Sequence, residues 1–245
     1  FRLKARYRCR VITDVMDAWP ETLLQALPSW ASGLGRLCLF PYYKMLRQAC
    51  LESDAVSAQS QTFADFAKQH GFQGDVHVCY LGADPLMARA QFIFNKRIEG
   101  LATRVLRVAY IGAMGCSYDL VTLVTACGNL LNQGMELELH FAGEGEKLHD
   151  LQEMTKGWAK GRIHFHGFLQ DQELADLLLT CHLGVVPMHP DSGVAVPYKV
   201  GDYLSASLAV VNSLPGELET LLKVHECGCF YDAGSVASLE SALGF

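Results

Sequence analysis

At 245 residues, with half of them apolar and 19% charged, the chain can bury one large α/β core or two smaller ones, which argues against wholesale disorder. The formal net charge of -6 lacks the basic stripe of a nucleic-acid binder, so any phosphate is bound locally. Nine cysteines, an odd count scattered through apolar runs, fit neither a zinc framework nor a secreted disulfide pattern and are expected to be reduced and mostly buried. No run of 18 apolar residues occurs and the start lacks the layout of a signal peptide, so a cytoplasmic location is expected.

The chain opens at Phe1 without Met and soon reaches a buried-looking strand around Val11 and Ile12 that has no partner upstream, so a fragment is expected. Residues 9–14, 54–58 and 76–79 read as strands, with helical stretches at 44–51 and 63–70 between them, which is part of one sheet. Residues 82–105 carry Pro85, a mixed basic stretch and Gly100, as a linker would. The boundary is expected near residue 101, giving a partial N-terminal domain over residues 1–100 and a second domain over residues 101–245. From there six β-branched runs follow one another at residues 107–112, 137–143, 162–167, 183–187, 208–212 and 229–231. Between the first two, Leu120, Leu123, Val124, Cys127 and Leu131 recur at helical spacing behind Ser117 or Asp119 as the cap. Asp171 likewise precedes Leu174, Leu177 and Leu178, and Ser235 precedes Val236, Leu239 and Leu243. Such alternation predicts a doubly wound parallel sheet.

Glycine follows several of these strands: Gly112 and Gly115, Gly143 and Gly145, and Gly167. All fall on the carboxyl edge, where doubly wound sheets bind ligands and where a nucleotide can approach bare backbone. Gly112-Ala113-Met114-Gly115 lacks the full dinucleotide fingerprint. After the fourth run, a loop from Asp191 through Ser192, Gly193, Val194, Ala195, Val196 and Pro197 feeds a helix carrying Lys199 and Asp202. Pro197 suits a first turn, where free N–H groups favour a diphosphate. Lys199 adds charge, and Asp202 can accept both hydroxyls of a ribose. The alternative is an exposed Lys199–Asp202 helix pair.

The order Tyr110-Ile111-Gly112, Tyr118-Asp119-Leu120, Phe141-Ala142-Gly143-Glu144-Gly145, Phe165-His166-Gly167, Pro197-Tyr198-Lys199, Asp202-Tyr203-Leu204 and residues 212–219 resembles glycosyltransferase family four. Residues 14–21, Asp-Val-Met-Asp-Ala-Trp-Pro-Glu, resemble a segment of the family's N-terminal domain. The resemblance implies an α/β fold of the GT-B type, two Rossmann-like doubly wound domains, here with the N-terminal one incomplete. It implies a retaining, metal-independent hexosyltransferase that takes a UDP- or GDP-sugar as donor substrate, needs no cofactor, and serves a glycan or lipid-linked acceptor in polysaccharide biosynthesis. On that analogy residues 192–197 face the donor sugar and phosphates, Lys199 assists, Asp202 stands at the family's second glutamate, and Gly167 and Phe168 border the base. The first glutamate, eight positions earlier, is replaced by Val194. Ala113, Met114 and Cys116 stand near where many members carry Arg and Lys, and Ser207 and Ala209 stand where glycine and proline are usual.

Asp17 reads equally as a cleft acid or base and as a turn former before Trp19-Pro20. His164 and His166 share one strand face, yet no third ligand lies near them in sequence, so no metal site is expected. Residues 30–47 mix Leu34, Leu37, Phe40 and Tyr42 with Arg36, Lys44 and Arg47, a pattern for peripheral contact with the inner face of the cell membrane. A nucleotide-sugar epimerase and a nucleotide-binding module without catalysis are the alternatives.

Overall fold

A computed structural model describes residues 2–25, 27–82, 105–158 and 161–244. The expected linker, with its boundary near residue 101, lies outside the described residues but for its end positions. The chain divides into one unit of Phe1–Leu81 with Asp191–Val196 and a second of Gly82–Pro190 with Pro197–Phe245.

In the first unit, strands β1 (Ile12–Val15), β2 (Ala55–Ala58) and β3 (Val76–Val78) form a parallel sheet in that order. Helix Gln61–Gln69 starts where the Ser60 hydroxyl accepts the Phe63 N–H, and it turns Phe63, Ala64 and Ala67 onto Val56 and Ala58. Ala195 of the 191–196 segment packs into this same cluster. Strand β1 starts later than the expected residue 9 because Arg2–Tyr7 is helical and Arg8 takes a left-handed turn, φ 50°. The helix expected at 44–51 runs Phe40–Glu52, opened by Pro41 in its first turn.

The second unit holds β4 (Leu106–Ile111), β5 (Leu137–Ala142), β6 (Ile163–Phe165), β7 (Leu183–Val186), β8 (Ala209–Asn212) and β9 (Gly228–Phe230). All pair in parallel, in the order β6-β5-β4-β7-β8-β9. The chain therefore winds outward from β4 to the β6 edge, returns to β7 on the other side of β4, and winds outward again. Of the two expected caps for helix Leu120–Asn132, Asp119 is the one used: its Oδ1 accepts from the Thr122 N–H, and its Oδ2 accepts from the Gly234 N–H at 2.9 Å. That helix buries Leu120, Leu123, Val124 and Cys127 over Val108, Tyr110, Leu139 and Phe141, and helix Val236–Leu243 closes the cluster with Leu239 and Leu243. The doubly wound sheet is thus present as the alternating pattern predicts.

Candidate functional site

The winding reverses between β4 and β7, and the carboxyl ends of strands at such a reversal are where doubly wound sheets bind ligands. Successive loops on this edge are stitched by backbone: Gly112 N–H donates to Ala142 O at 2.9 Å, Met114 N–H to Glu144 O at 2.8 Å, and Gly143 N–H to Gly167 O at 2.7 Å. A Cβ on Gly143 would lie 2.1 Å from Gly112 O, and one on Gly145 would lie 2.5 Å from Met114 O. Loop-to-loop contact therefore accounts for glycine at 143 and 145, and the N–H groups of Gly112, Met114 and Gly143 are already engaged. Gly115 and Gly167 border open space.

Gly112, at φ 114°, covers a different feature: its Cβ would approach Lys199 Nζ to 3.3 Å. Lys199 opens helix Lys199–Ser205 and is buried, with 7% of its surface exposed, so it forms no exposed pair with Asp202. Its Nζ has no hydrogen-bond partner among the described residues and lies 4.2 Å from the centre of the Tyr110 ring and 4.1 Å from that of Tyr118. Burial pushes its pKa down to about 7, against the attraction of two aromatic faces for a cation. The helix is held in place by Tyr203, whose hydroxyl donates to Val185 O at 3.2 Å and accepts the Ile111 N–H at 3.0 Å. Gly184 makes room for that ring, since a Cβ there would meet it at 2.3 Å. One side chain thus bridges β4 and β7 and presents Lys199 at the reversal point. The strand ends thus hold one lysine out of water, an arrangement suited to an anionic ligand.

Pro197 is buried and precedes the helix, and Asp202 is half-buried in its first turn. Phe168 is exposed beside Gly167. Within the first unit, Gly193 is left-handed at φ 70°, Val194 is exposed, Ala195 is buried, Val196 is half-buried, and Ser192 Oγ is buried with no hydrogen-bond partner among the described residues. Asp17 is exposed and its Oδ1 accepts the Trp19 N–H at 2.8 Å, which forms a turn.

Two groupings are not visible in the sequence: the rings around Lys199, and the residues that join His164 and His166. Tyr110 and Tyr118 wall Lys199 although they stand 89 and 81 positions before it, and only the bridge of Tyr118 to Met188 brings the second ring there. On β5 and β6, His140 is in register with His164, and the rings of His140, His164 and His166 stack beside Glu138. Burial pushes His140 down to about 4, and the two neighbouring histidines push it the same way.

The family model described as Glycosyl transferases group 1 matches residues 105–244. Similar solved structures include Alr3699/HepE of Anabaena in complex with UDP and glucose, 15% identical, with a TM-score of 0.68 over 98% of this chain and 62% of that one. The same protein in complex with UDP gives 14% identity and a TM-score of 0.71 over 99% of this chain and 64% of that one. WaaG, a glycosyltransferase involved in lipopolysaccharide biosynthesis, gives 15% identity and a TM-score of 0.65 over 100% of this chain and 71% of that one. The chain therefore spans less than two thirds of the length of Alr3699/HepE. No curated protein sequence matches it. At these identities the structures establish a shared fold, the GT-B type with Rossmann-like units.

Proposed function

The chain belongs to the glycosyl transferases group 1 family, and from that premise we propose that it carries the donor-nucleotide site of an enzyme moving a hexosyl group from a nucleoside diphosphate sugar to a glycan or lipid-linked acceptor. The observation that carries the reading is Lys199, a buried cation without a hydrogen-bond partner among the described residues, at the point where the sheet reverses its winding. An unpaired buried ammonium is costly, and an anion beside it recovers that cost. During transfer the bond from the anomeric carbon to the diphosphate oxygen breaks and the electron pair leaves with the diphosphate. Lys199 would stabilise that charge, with the N–H groups around Pro197 adding to it and no metal required. Asp202 would hold the ribose, Gly112, Gly115, Gly143, Gly167 and Phe168 would border the nucleotide, residues 192–196 would face the sugar, and Asp17 would serve as an acid or base. Retention of stereochemistry rests on family analogy. Neither the epimerase nor the non-catalytic module is favoured by the comparisons.

UDP is the first nucleotide to test, since Alr3699/HepE is known in complex with it. Calorimetric titration with UDP, GDP and ADP without metal is expected to give micromolar binding of one of them. Lys199→Met is expected to lose at least about tenfold, or about 1.4 kcal/mol. Because the free lysine titrates near 7, binding at pH 8 should take up a proton, visible as heats that change with the ionisation enthalpy of the buffer. Equal affinity in the variant would sink the assignment of Lys199.

We also place the whole enzyme in the cytoplasm, in polysaccharide biosynthesis, with peripheral membrane contact. Supporting this, Trp30, Leu34, Leu37 and Phe40 are exposed alongside Arg36, Lys44 and Arg47. Among the described residues no helix is long and apolar enough to cross a membrane. Sedimentation with anionic liposomes at low salt should carry the chain down, and its absence from the pellet would remove the membrane contact.

A further inference from the structure

Strand alternation puts Leu139, Phe141 and Phe165 into the core and leaves Glu138, His140, His164 and His166 together on the opposite face. The ligand atoms of Glu138, His140 and His164 all lie within 4.8 Å of one another, with Glu138 Oε2 3.7 Å from His140 Nε2. His140 Nε2 is buried and has no hydrogen-bond partner among the described residues, whereas His140 Nδ1 lies 3.1 Å from His166 Nε2. One proton joins those two nitrogens. If His140 carries it, the Nε2 lone pair faces a carboxylate with nothing between them. If His166 carries it, His140 Nε2–H points toward an oxygen too distant to accept it. A cation between Nε2 and Oε2 would satisfy both groups.

We propose that Glu138, His140 and His164 bind one divalent transition-metal ion of the zinc class, which ties the edge strand β6 to β5, with His166 fixing the orientation of the His140 ring. Imidazole nitrogen and carboxylate oxygen bind zinc at about 2.0–2.2 Å, so their atoms stand roughly 3.3–3.6 Å apart around a tetrahedral ion. The pair at 3.7 Å meets this almost unchanged. His164 must move in by about 1 Å and turn about χ2, because its ring is stacked on that of His140 at 4.7 Å and 10°. Arg107 Nε, 2.9 Å from Glu138 Oε2, and Arg162, 3.5 Å from Oε1, keep the carboxylate aimed. A carboxylate offers about four lone-pair sites, enough to serve them and an ion together. A histidine that hands its second nitrogen to a neighbour is the usual outer support of a metal ligand.

The test uses the whole chain with its exposed cysteines alkylated, because thiols would compete for the ion. Titration with Co2+ should show one equivalent bound, with a visible spectrum of nitrogen and oxygen ligation and no thiolate charge-transfer band. Affinity should fall at least tenfold in His164→Ala and in Glu138→Gln, fall about tenfold in His166→Ala, and stay unchanged in His149→Ala, an exposed histidine elsewhere. Zn2+ should raise the melting temperature of the parent and of His149→Ala but not that of His164→Ala. Each protein is compared with itself with and without metal, so a destabilised variant still reports. Failure to take up one equivalent, a thiolate spectrum, or equal binding by His164→Ala and His149→Ala would overturn the site. Nucleotide binding by the same chain is a separate measurement and does not depend on this result.

Discussion

Two polar clusters stand on the same six-stranded sheet and are stabilised in opposite ways. At the β4–β7 reversal a single ammonium, Lys199, is enclosed by two tyrosine rings with no hydrogen-bond partner among the described residues. On the neighbouring strand β5, Glu138 is held by Arg107 and Arg162 beside three stacked histidines, so charge is largely neutralised within the protein. The first buries its charge without a counter-ion among the described residues, and the second pairs most of its charge internally. In each cluster the pointer to a charged ligand is a buried nitrogen without a hydrogen-bond partner among the described residues, Lys199 Nζ in one and His140 Nε2 in the other.

The largest effect should come from Lys199→Met. Below pH 7 the proton sits on Lys199 in both folded and unfolded chains, so the folded state carries the full cost of burying it. Between about 7 and the ordinary 10.5 the unfolded chain holds a proton that the folded chain has released, so parental stability rises with pH. The variant lacks this dependence. It should therefore be more stable than the parent at pH 7 by roughly 3 kcal/mol, a margin reduced by about 2 kcal/mol at pH 9. Urea unfolding of both proteins at the two pH values reads the difference. A margin that does not shrink with pH would mean that Lys199 is not held as an unpaired cation.

Gly143→Ala should come next, and it separates loop packing from ligand approach. Its Cβ would meet Gly112 O at 2.1 Å, a backbone atom that cannot rotate away, at a φ of 139°. A loss of about 2–3 kcal/mol is expected. Gly167→Ala, with open space around its Cβ, should cost only about 1 kcal/mol for its left-handed φ of 68°. Thermal unfolding in the absence of nucleotide measures both, and equal losses would mean that the contact between the β4 and β5 loops is soft.

How much of this was legible in the sequence varies by element. Residues 137–142 alternate apolar and polar side chains and end at Gly143, residues 183–186 are an apolar run that ends at Pro187, and both strands fall within a residue of where they are expected. Helix Ser32–Cys38 was not legible, because Gly33 and Gly35 weaken its signal, although the Leu24 and Leu27 side chains pack against Gly35. The family's order of motifs pointed to Lys199 as the cation, but its burial depends on Tyr110 and Tyr118, and nothing local to residue 199 encodes that. His164 and His166 looked like an incomplete pair for the same reason. Their partners Glu138 and His140 lie on the neighbouring strand, and only the β5–β6 register brings the four together.

The smallest predicted effect sharpens the contrast from the other side. Glu138→Gln keeps the shape of the side chain but leaves the Arg107 and Arg162 guanidinium groups without their shared carboxylate. Arg107 is more than a third exposed, so solvent screens the pair and the loss should be only about 1 kcal/mol in 0.1 M salt, measured with chelator present. Raising the salt to about 1 M shortens the screening length to roughly 3 Å and should remove most of that difference. The Lys199→Met margin should hardly respond, because the cost there arises from removing a cation from water rather than from a neighbouring charge. If both differences fell together with salt, the two clusters would share one origin in surface electrostatics, and Lys199 would lose its standing as the group awaiting an anion.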